Sequence, residues 1–312
     1  MKLRFLLLFT VFAFALTAFA QPEQPKPQVR TVTIPISIFT KKELQEKQTE
    51  EIVQAERLIV KENGDEQQIL SIRSVSDTPL SIAILIQDDL TTNFNLQIED
   101  LKQFIRALPK GTRVMVAYLR GGTSQIRQRF TDDLEAAAKS LRIVAGSGAL
   151  APRSPYDGVS DIIGRFDGIP SGRRAILLFS DGLDSSAGLN LASVSQSYDL
   201  DQAILKAQRR SVAVYSFYAP TTTTESGNSI LTLGAQGALE KLSDETGGRS
   251  FYRGSFAPVN YLPYFRELGM TLNRQFALSY LSTHMKKGYY KIRVTSTNPD
   301  VKIEHPRGYY YR

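Results

Sequence analysis

Two groups of carboxylates stand where a folded chain rarely tolerates them. The run Ile82-Ala83-Ile84-Leu85-Ile86 is apolar without a break and then turns into Gln87, Asp88 and Asp89. A second run, Ala175-Ile176-Leu177-Leu178-Phe179, ends the same way in Ser180, Asp181, Gly182, Leu183 and Asp184. Continuous apolar stretches of this length read as strands buried on both faces, as in a parallel sheet covered by helices. Adjacent carboxylates at the end of such a strand repel each other and lose hydration, so they belong at a solvent-filled crevice or beside a cation. In an open doubly wound sheet that crevice lies at the carboxyl ends of the strands, where strand order reverses. If the two runs are neighbouring strands, Asp88, Asp89, Asp181 and Asp184 meet at one cleft.

Carboxylates so placed could also do covalent chemistry. The Asp88/Asp89 tip, with Thr91 nearby, is partly similar to phosphatases of the haloacid-dehalogenase type, whose Asp-x-Asp converges two carboxylates and a metal on phosphorus. Here the spacing is Asp-Asp, which sends the side chains to opposite sides of an extended chain. A metal-dependent phosphohydrolase is therefore the alternative, not the leading expectation. His284 and His305, both in the C-terminal tail, read as surface or turn residues. There is no Gly-x-Ser-x-Gly elbow, no phosphate-binding Gly-x-x-x-x-Gly-Lys loop and no cysteine, which removes thiol nucleophiles, cysteine-ligated metals and disulfides.

The elements that must carry these tips alternate in type. Strands are expected over 112–119, 124–130, 174–180, 211–218 and 249–252, and helices over 95–108, 131–144, 156–166, 199–210, 234–246 and 259–274. With the strand from Ser81, the order predicts a doubly wound, mostly parallel six-stranded sheet, a Rossmann-like αβα sandwich over residues 79–274. Residues 29–78 read as a β-rich segment in which Pro35 marks an edge or bulge and Asn63-Gly64 signals a hairpin. The charged stretch 41–56 is expected to be solvated. Residues 275–312 alternate as a β tail with no helix to cover it, so the two ends are expected to pack together as a small accessory unit.

Residues 1–20 read as a signal peptide cleaved after Ala20, because Lys2 and Arg4 precede an apolar run too short to span a membrane and Ala18-Phe19-Ala20 fits the cleavage rule. Residues 21–28 form a proline-rich linker. The mature chain is thus expected to be secreted or periplasmic, with no membrane span. An apolar fraction of 42% and a charged fraction of 22% suit a globular protein. The formal charge of +7 loses two units with Lys2 and Arg4, and the rest is scattered apart from pairs such as Arg173-Arg174 and Arg209-Arg210. Without a basic stripe interleaved with aromatics, nucleic acid is not an expected partner.

The element order, the Phe179-Ser180-Asp181-Gly182 strand end, the hairpin Val60-Lys61-Glu62-Asn63-Gly64-Asp65-Glu66-Gln67, the tail Gly288-Tyr289-Tyr290-Lys291-Ile292-Arg293-Val294 and Arg307-Gly308-Tyr309-Tyr310 together carry a resemblance. The chain resembles von Willebrand factor A (VWA) domains, and more closely the secreted bacterial VWFA-related family of acidobacterial type. The resemblance implies a non-enzymatic, adhesion-type module that binds another protein of the cell envelope or extracellular space. It also implies a metal-ion-dependent adhesion site: Asp-x-Ser-x-Ser after the first strand, a middle-loop Thr and an Asp after the fourth strand, giving a hard cation about six oxygens. Here that pattern is degenerate. With Asp88 leading, Leu90 and Thr92 take the serine places; with Gln87 leading, Asp89 and Thr91 do. Arg153, or at best Ser154, falls at the threonine, while Asp181 fits cleanly with Asp184 beside it.

Three accounts of the crest follow from this pattern. Asp88, Thr92 and Asp181, helped by Asp89 and Ser154, hold Mg²⁺, Mn²⁺ or Ca²⁺ weakly; or no cofactor is bound and Arg153 reaches into the crevice to neutralise the carboxylates; or the rim is acidic and solvated. In each, the expected ligand-binding crest is Asp88, Asp89, Thr92, Arg153, Ser154, Asp181 and Asp184.

Overall fold

The computed structural model describes residues 28–40, 58–74, 78–121, 123–169, 173–186, 188, 197–225, 229–252 and 260–311. The expected signal peptide, nearly all of the proline-rich linker and the charged stretch 41–56 lie outside the described residues. Three strands come first: β1 (Arg30–Thr40), β2 (Leu58–Glu62) and β3 (Asp65–Ser74). Alternation follows with β4 (Leu80–Gln87), α1 (Ile98–Arg106), β5 (Arg113–Arg120), β6 (Thr123–Thr131), α2 (Leu134–Lys139) and α3 (Pro155–Gly164). It continues through β7 (Arg173–Ser180), α4 (Tyr198–Arg210), β8 (Val212–Tyr218), α5 (Ser229–Thr246), β9 (Ser250–Phe251) and α6 (Leu262–Asn273). The strands β10 (Gln275–Ser282), β11 (Gly288–Ser296), β12 (Val301–Glu304) and β13 (Gly308–Tyr311) end the chain.

The apolar runs take the central places their composition demands. Every residue of β4 and of β8 is buried, and the six-stranded sheet runs β6-β5-β4-β7-β8-β9. β4 is parallel to both β5 and β7, β8 is parallel to β7 and β9, and only β6 is antiparallel, along the edge of β5. Strand order therefore reverses between β4 and β7, the position at which doubly wound sheets open a crevice. Alternate side chains feed two cores: Ile84, Val116, Leu177 and Phe217 pack with α1, α2 and α6 residues on one face. Leu85, Met115, Ile176 and Leu178 pack with α3, α4 and α5 residues on the other. In the first core, Phe179 stacks on Phe217 with ring centroids 4.7 Å apart, a contact worth about 0.5–1.5 kcal/mol beyond its burial.

Two helices are shorter than their sequence pattern suggests. The stretch 95–108 begins as a 3₁₀ turn, Thr92–Gln97, before α1 starts. The stretch 131–144 holds only α2, capped by Asp133, whose carboxylate accepts from the Ala136 N–H at 2.9 Å. Residues beyond Ser140 leave the helix because their backbone is claimed from outside it, as the crest shows below.

The seven other strands form a separate antiparallel sheet in the order β12-β1-β10-β3-β2-β11-β13, built from both ends of the chain. Pro35 pairs with Ala277 of β10, but β12 begins to pair with β1 only at Ser37. One side of β1 is thus without a ladder at Pro35, where a residue without an N–H fits. Asn63 and Gly64 both have positive φ, 52° and 100°, the two left-handed positions of a type I′ hairpin turn. The sheet closes over a fully buried Glu62, which accepts hydrogen bonds from Tyr280 Oη and Ser282 Oγ, both at 2.7 Å, and from Tyr309 Oη at 3.0 Å. Neither histidine is a free surface residue. His284 lies 3.1 Å from Glu62 and 3.3 Å from Asp65. His305 Nε2 accepts from the Val294 N–H at 3.1 Å, and burial lowers its pKa. Both hold strands together because the tail folds back onto the hairpin.

Candidate functional site

The pairing of Ile86 with Phe179 puts the ends of β4 and β7 side by side, so both acidic tips emerge at the switch point. The side chains nevertheless fork. Gln87 turns to β7: its Nε2 donates to Asp181 Oδ1 at 3.2 Å, and its Oε1 accepts from Ser180 Oγ at 2.6 Å. Asp88, the next residue, is engaged elsewhere, by Arg142, whose Nη1 and Nη2 donate to its two oxygens at 2.7 and 2.8 Å. Asp89 is buried beside Gln87 and is the carboxylate whose charge Asp181 feels. The strand ends at Gln87, and the turn through Asp88 and Asp89 sends the Asp88 side chain away from its two neighbours.

Arg142 is held in place by its surroundings. Its guanidinium lies over the Tyr118 ring, 4.1 Å from the centroid, while Tyr118 Oη donates to the Arg142 carbonyl at 2.7 Å and accepts from its N–H at 2.8 Å. The following residues are pinned as well: Ala145 and Gly146 N–H donate to the Asp88 carbonyl, and the Asn95 amide makes paired hydrogen bonds with the backbone of Val144. These contacts stop α2 and lay residues 141–147 along the crest. The expected role of Arg153 therefore passes to Arg142. Arg153 is exposed, and among the described residues its Nη2 donates only to the Ser186 carbonyl, at 3.5 Å.

Asp181 is enclosed from all sides. Its Oδ2 accepts from Thr221 Oγ1 at 2.7 Å and its Oδ1 from the Leu183 N–H at 3.1 Å, besides the Gln87 bond. Burial pushes its carboxyl up to about 6, with Asp89 adding to the rise and the three hydrogen bonds opposing it. Burial also raises Asp89 above the usual carboxylate range. Asp184 caps rather than binds: its oxygens accept from the Ser186 N–H at 2.8 Å and from Ser197 Oγ, and Ser197 is the N-cap of α4. Thr92 is exposed, and Ser154 is buried at the N-cap of α3 with its hydroxyl unpartnered.

This donor set does not fit a hard divalent cation. Asp88 gives both oxygens to Arg142, Asp181 has accepted three hydrogen bonds, and Gln87 at the strand end offers an uncharged amide that is already engaged with Ser180 and Asp181. Among the described residues, Asp89 Oδ1 and Ser154 Oγ are the buried oxygens left unpartnered at the crest positions, and even with the exposed Thr92 hydroxyl they fall short of the roughly six a cation takes. Among the described residues no cluster of three or more His, Cys, Asp or Glu side chains could hold a metal. Of the residues that complete the crest, Gln87 was visible in the sequence as a strand end. Arg142, Tyr118, Asn95 and Thr221 carried no local signal.

The turn that presents Asp181 depends on one glycine. Gly182 has φ +74°, and an added Cβ would lie 2.6 Å from the Ala235 carbonyl oxygen. Gly182→Ala is expected to destabilise the chain by about 1–3 kcal/mol. Urea unfolding reads this as a lower midpoint at unchanged slope; an unchanged midpoint would contradict so close an approach of the turn to α5.

No family model matches the chain, and no curated protein matches it. Among solved structures it is similar to an aerotolerance-related membrane protein from Bacteroides fragilis, at 13% identity over 62% of this chain and 98% of that one, with a TM-score of 0.42. BatB from Bacteroides thetaiotaomicron is similar at 12% identity over 62% and 97%, TM-score 0.42. A von Willebrand factor type A protein from Catenulispora acidiphila is similar at 10% identity over 95% and 76%, TM-score 0.42. At these values the likenesses carry nothing about function, which rests on the side chains above.

Proposed function

We propose that this chain is an exported, non-enzymatic protein-interaction module of VWA type, with a degenerate adhesion site that works without a metal. The observation that carries this reading is the two-pronged Arg142–Asp88 pair: a fixed guanidinium sits where the leading carboxylate would otherwise meet a cation. The strand order that reverses at β4 and β7, and the loops rising there, support a recognition crest on a rigid sheet. Thr92, Asn93 and Arg153 are exposed on that crest and offer polar contacts to a partner protein of the envelope or extracellular space. Among the described residues no helix is long and apolar enough to cross a membrane. The hydrolase alternative needs Asp88 as a nucleophile, and both of its oxygens are held by Arg142.

The test pairs calorimetry with capture. Titrating Mg²⁺, Mn²⁺ or Ca²⁺ is expected to give no micromolar binding. Immobilised protein is expected to capture the same partner from envelope extract with and without chelator, and to lose it in a Thr92→Arg/Asn93→Arg variant. Micromolar Mn²⁺ affinity abolished by Asp181→Ala, or a partner released by chelator, would restore the metal account. Hydrolysis of para-nitrophenyl phosphate that disappears in Asp88→Asn would restore the enzyme.

A further inference from the structure

A second site lies at the other end of the core sheet, where β7 starts at Arg173 and β8 at Val212. There β1, β10 and β13 of the seven-stranded sheet approach α4 and leave a part-open cavity of about 350 Å³. Its apolar walls include Ile34, Leu80, Ala207, Phe276 and Pro306, and among the described residues no aspartate or glutamate lines it. Three arginines do: Arg173, Arg174 and Arg209. Among the described residues none of the three forms an ion pair. Arg173 donates to the carbonyls of Thr78 and Leu272 at 3.2 and 2.7 Å, and Arg174 to those of Ile169 and Arg210 at 3.0 and 3.4 Å. Arg209 is exposed at the mouth with its guanidinium 4.6 Å from the centre of the Tyr310 ring.

Among the described residues, two buried polar atoms on this lining have no partner. Arg174 Nε is a donor without an acceptor, and Gln275 Oε1 is an acceptor without a donor. Gln275 is only 7% exposed, and its amide nitrogen is already given to Tyr215 Oη at 3.3 Å. A buried donor or acceptor left unmet costs about 1–3 kcal/mol, and the half-buried guanidinium charges of Arg173 and Arg174, without a counter-charge among the described residues, add to that. Burial lowers the pKa of Arg173 accordingly. Apolar walls, a few convergent polar groups and a volume at the lower end of the usual range are the properties of a small-molecule pocket.

We propose that this cavity binds a small amphipathic carboxylate, with its anion at the arginines, a hydroxyl donating to Gln275 Oε1 and an apolar body against Ile34, Leu80 and Phe276. At about 30 Å³ per water-sized group, the volume takes roughly a dozen non-hydrogen atoms. An ammonium ligand is disfavoured by the three guanidinium charges. The site is independent of the crest, which lies at the opposite ends of the same strands.

The test is isothermal titration of the full chain with para-hydroxybenzoate, using para-hydroxybenzamide and para-hydroxybenzylamine as the neutral and cationic controls. The benzoate is expected to bind in the micromolar to millimolar range and the controls at least about tenfold more weakly, the scale of one lost charge-assisted hydrogen bond. Arg174→Gln should weaken the benzoate by about the same factor, and Gln275→Leu should weaken it while leaving its salt dependence. Should Arg174→Gln fail to fold, Arg209→Gln at the exposed mouth is expected to weaken binding severalfold and flatten the salt dependence. The Thr92→Arg/Asn93→Arg crest variant should bind the benzoate as the parent does. Equal affinity for benzoate and benzamide, benzoate binding unaltered in the arginine variants, or no binding at millimolar concentration would overturn the proposal and leave the cavity to ordered water.

Discussion

Arg142→Met is expected to lower the unfolding free energy by about 3 kcal/mol, the lower end of what breaking one side of a buried ion pair costs. Asp88 is 1% exposed and the Arg142 side chain 30% exposed, so the substitution removes a partly solvated cation but strands a carboxylate that water cannot reach. Arg120 Nε, 3.9 Å from Asp88 on a side chain about half exposed, is left as a long and solvated partner, which keeps the loss at the lower end of that range. Adding Asp88→Asn to Arg142→Met should recover a large part of the loss, because an amide is far easier to bury than an unpaired charge. Urea unfolding of the two single variants and the double variant closes the cycle. A loss below about 0.5 kcal/mol in Arg142→Met, the scale of an ordinary surface change, would mean that the pair does not hold the crest.

The second large effect is on pH dependence. The folded-state carboxyl of Asp181 is raised to about 6, against about 3.9 for an unfolded aspartate. Between those values the folded chain keeps a proton that the unfolded chain has lost, so stability from this group is fully present below about pH 4 and is lost as pH rises to about 6. The difference corresponds to about 3 kcal/mol at one pKa unit per 1.36 kcal/mol. Asp89, raised by the same burial, acts in the same direction. Asp181→Asn is nearly isosteric and cannot ionise. It should gain stability relative to the parent as pH passes from 4 to 7, read as the difference between two urea-midpoint profiles. A difference that stays flat, or that changes in the opposite sense, would show that Asp181 is not buried as a strained carboxyl.

Much of the fold could be read because it depends on local periodicity. The runs at Ile82–Ile86 and Ala175–Phe179 are too apolar for anything but the middle of a covered sheet, and Asn63-Gly64 carries its own turn geometry. Helix ends were less legible. The Ala-rich stretch after Asp133 has the propensity to continue, yet Tyr118, Asn95 and the Asp88 carbonyl take its backbone, and tertiary hydrogen bonds override propensity over so short a span. Both histidines lie in the connections between tail strands, as their place in the sequence suggests, but nothing near His305 in the chain reveals that the Val294 N–H will need an acceptor.

From sequence alone it followed that two acidic strand ends would stand at the crevice of a doubly wound sheet, because burial patterns and strand order are written in consecutive residues. Only the tertiary structure decided that Gln87 and Asp89 turn to Asp181 while Asp88 turns away, that its cation is Arg142 and not Arg153, and that three arginines line one cavity at the far end. Those outcomes depend on which groups approach within about 3 Å across dozens of intervening residues, and at that range charge pairing and desolvation, not periodicity, choose the partner.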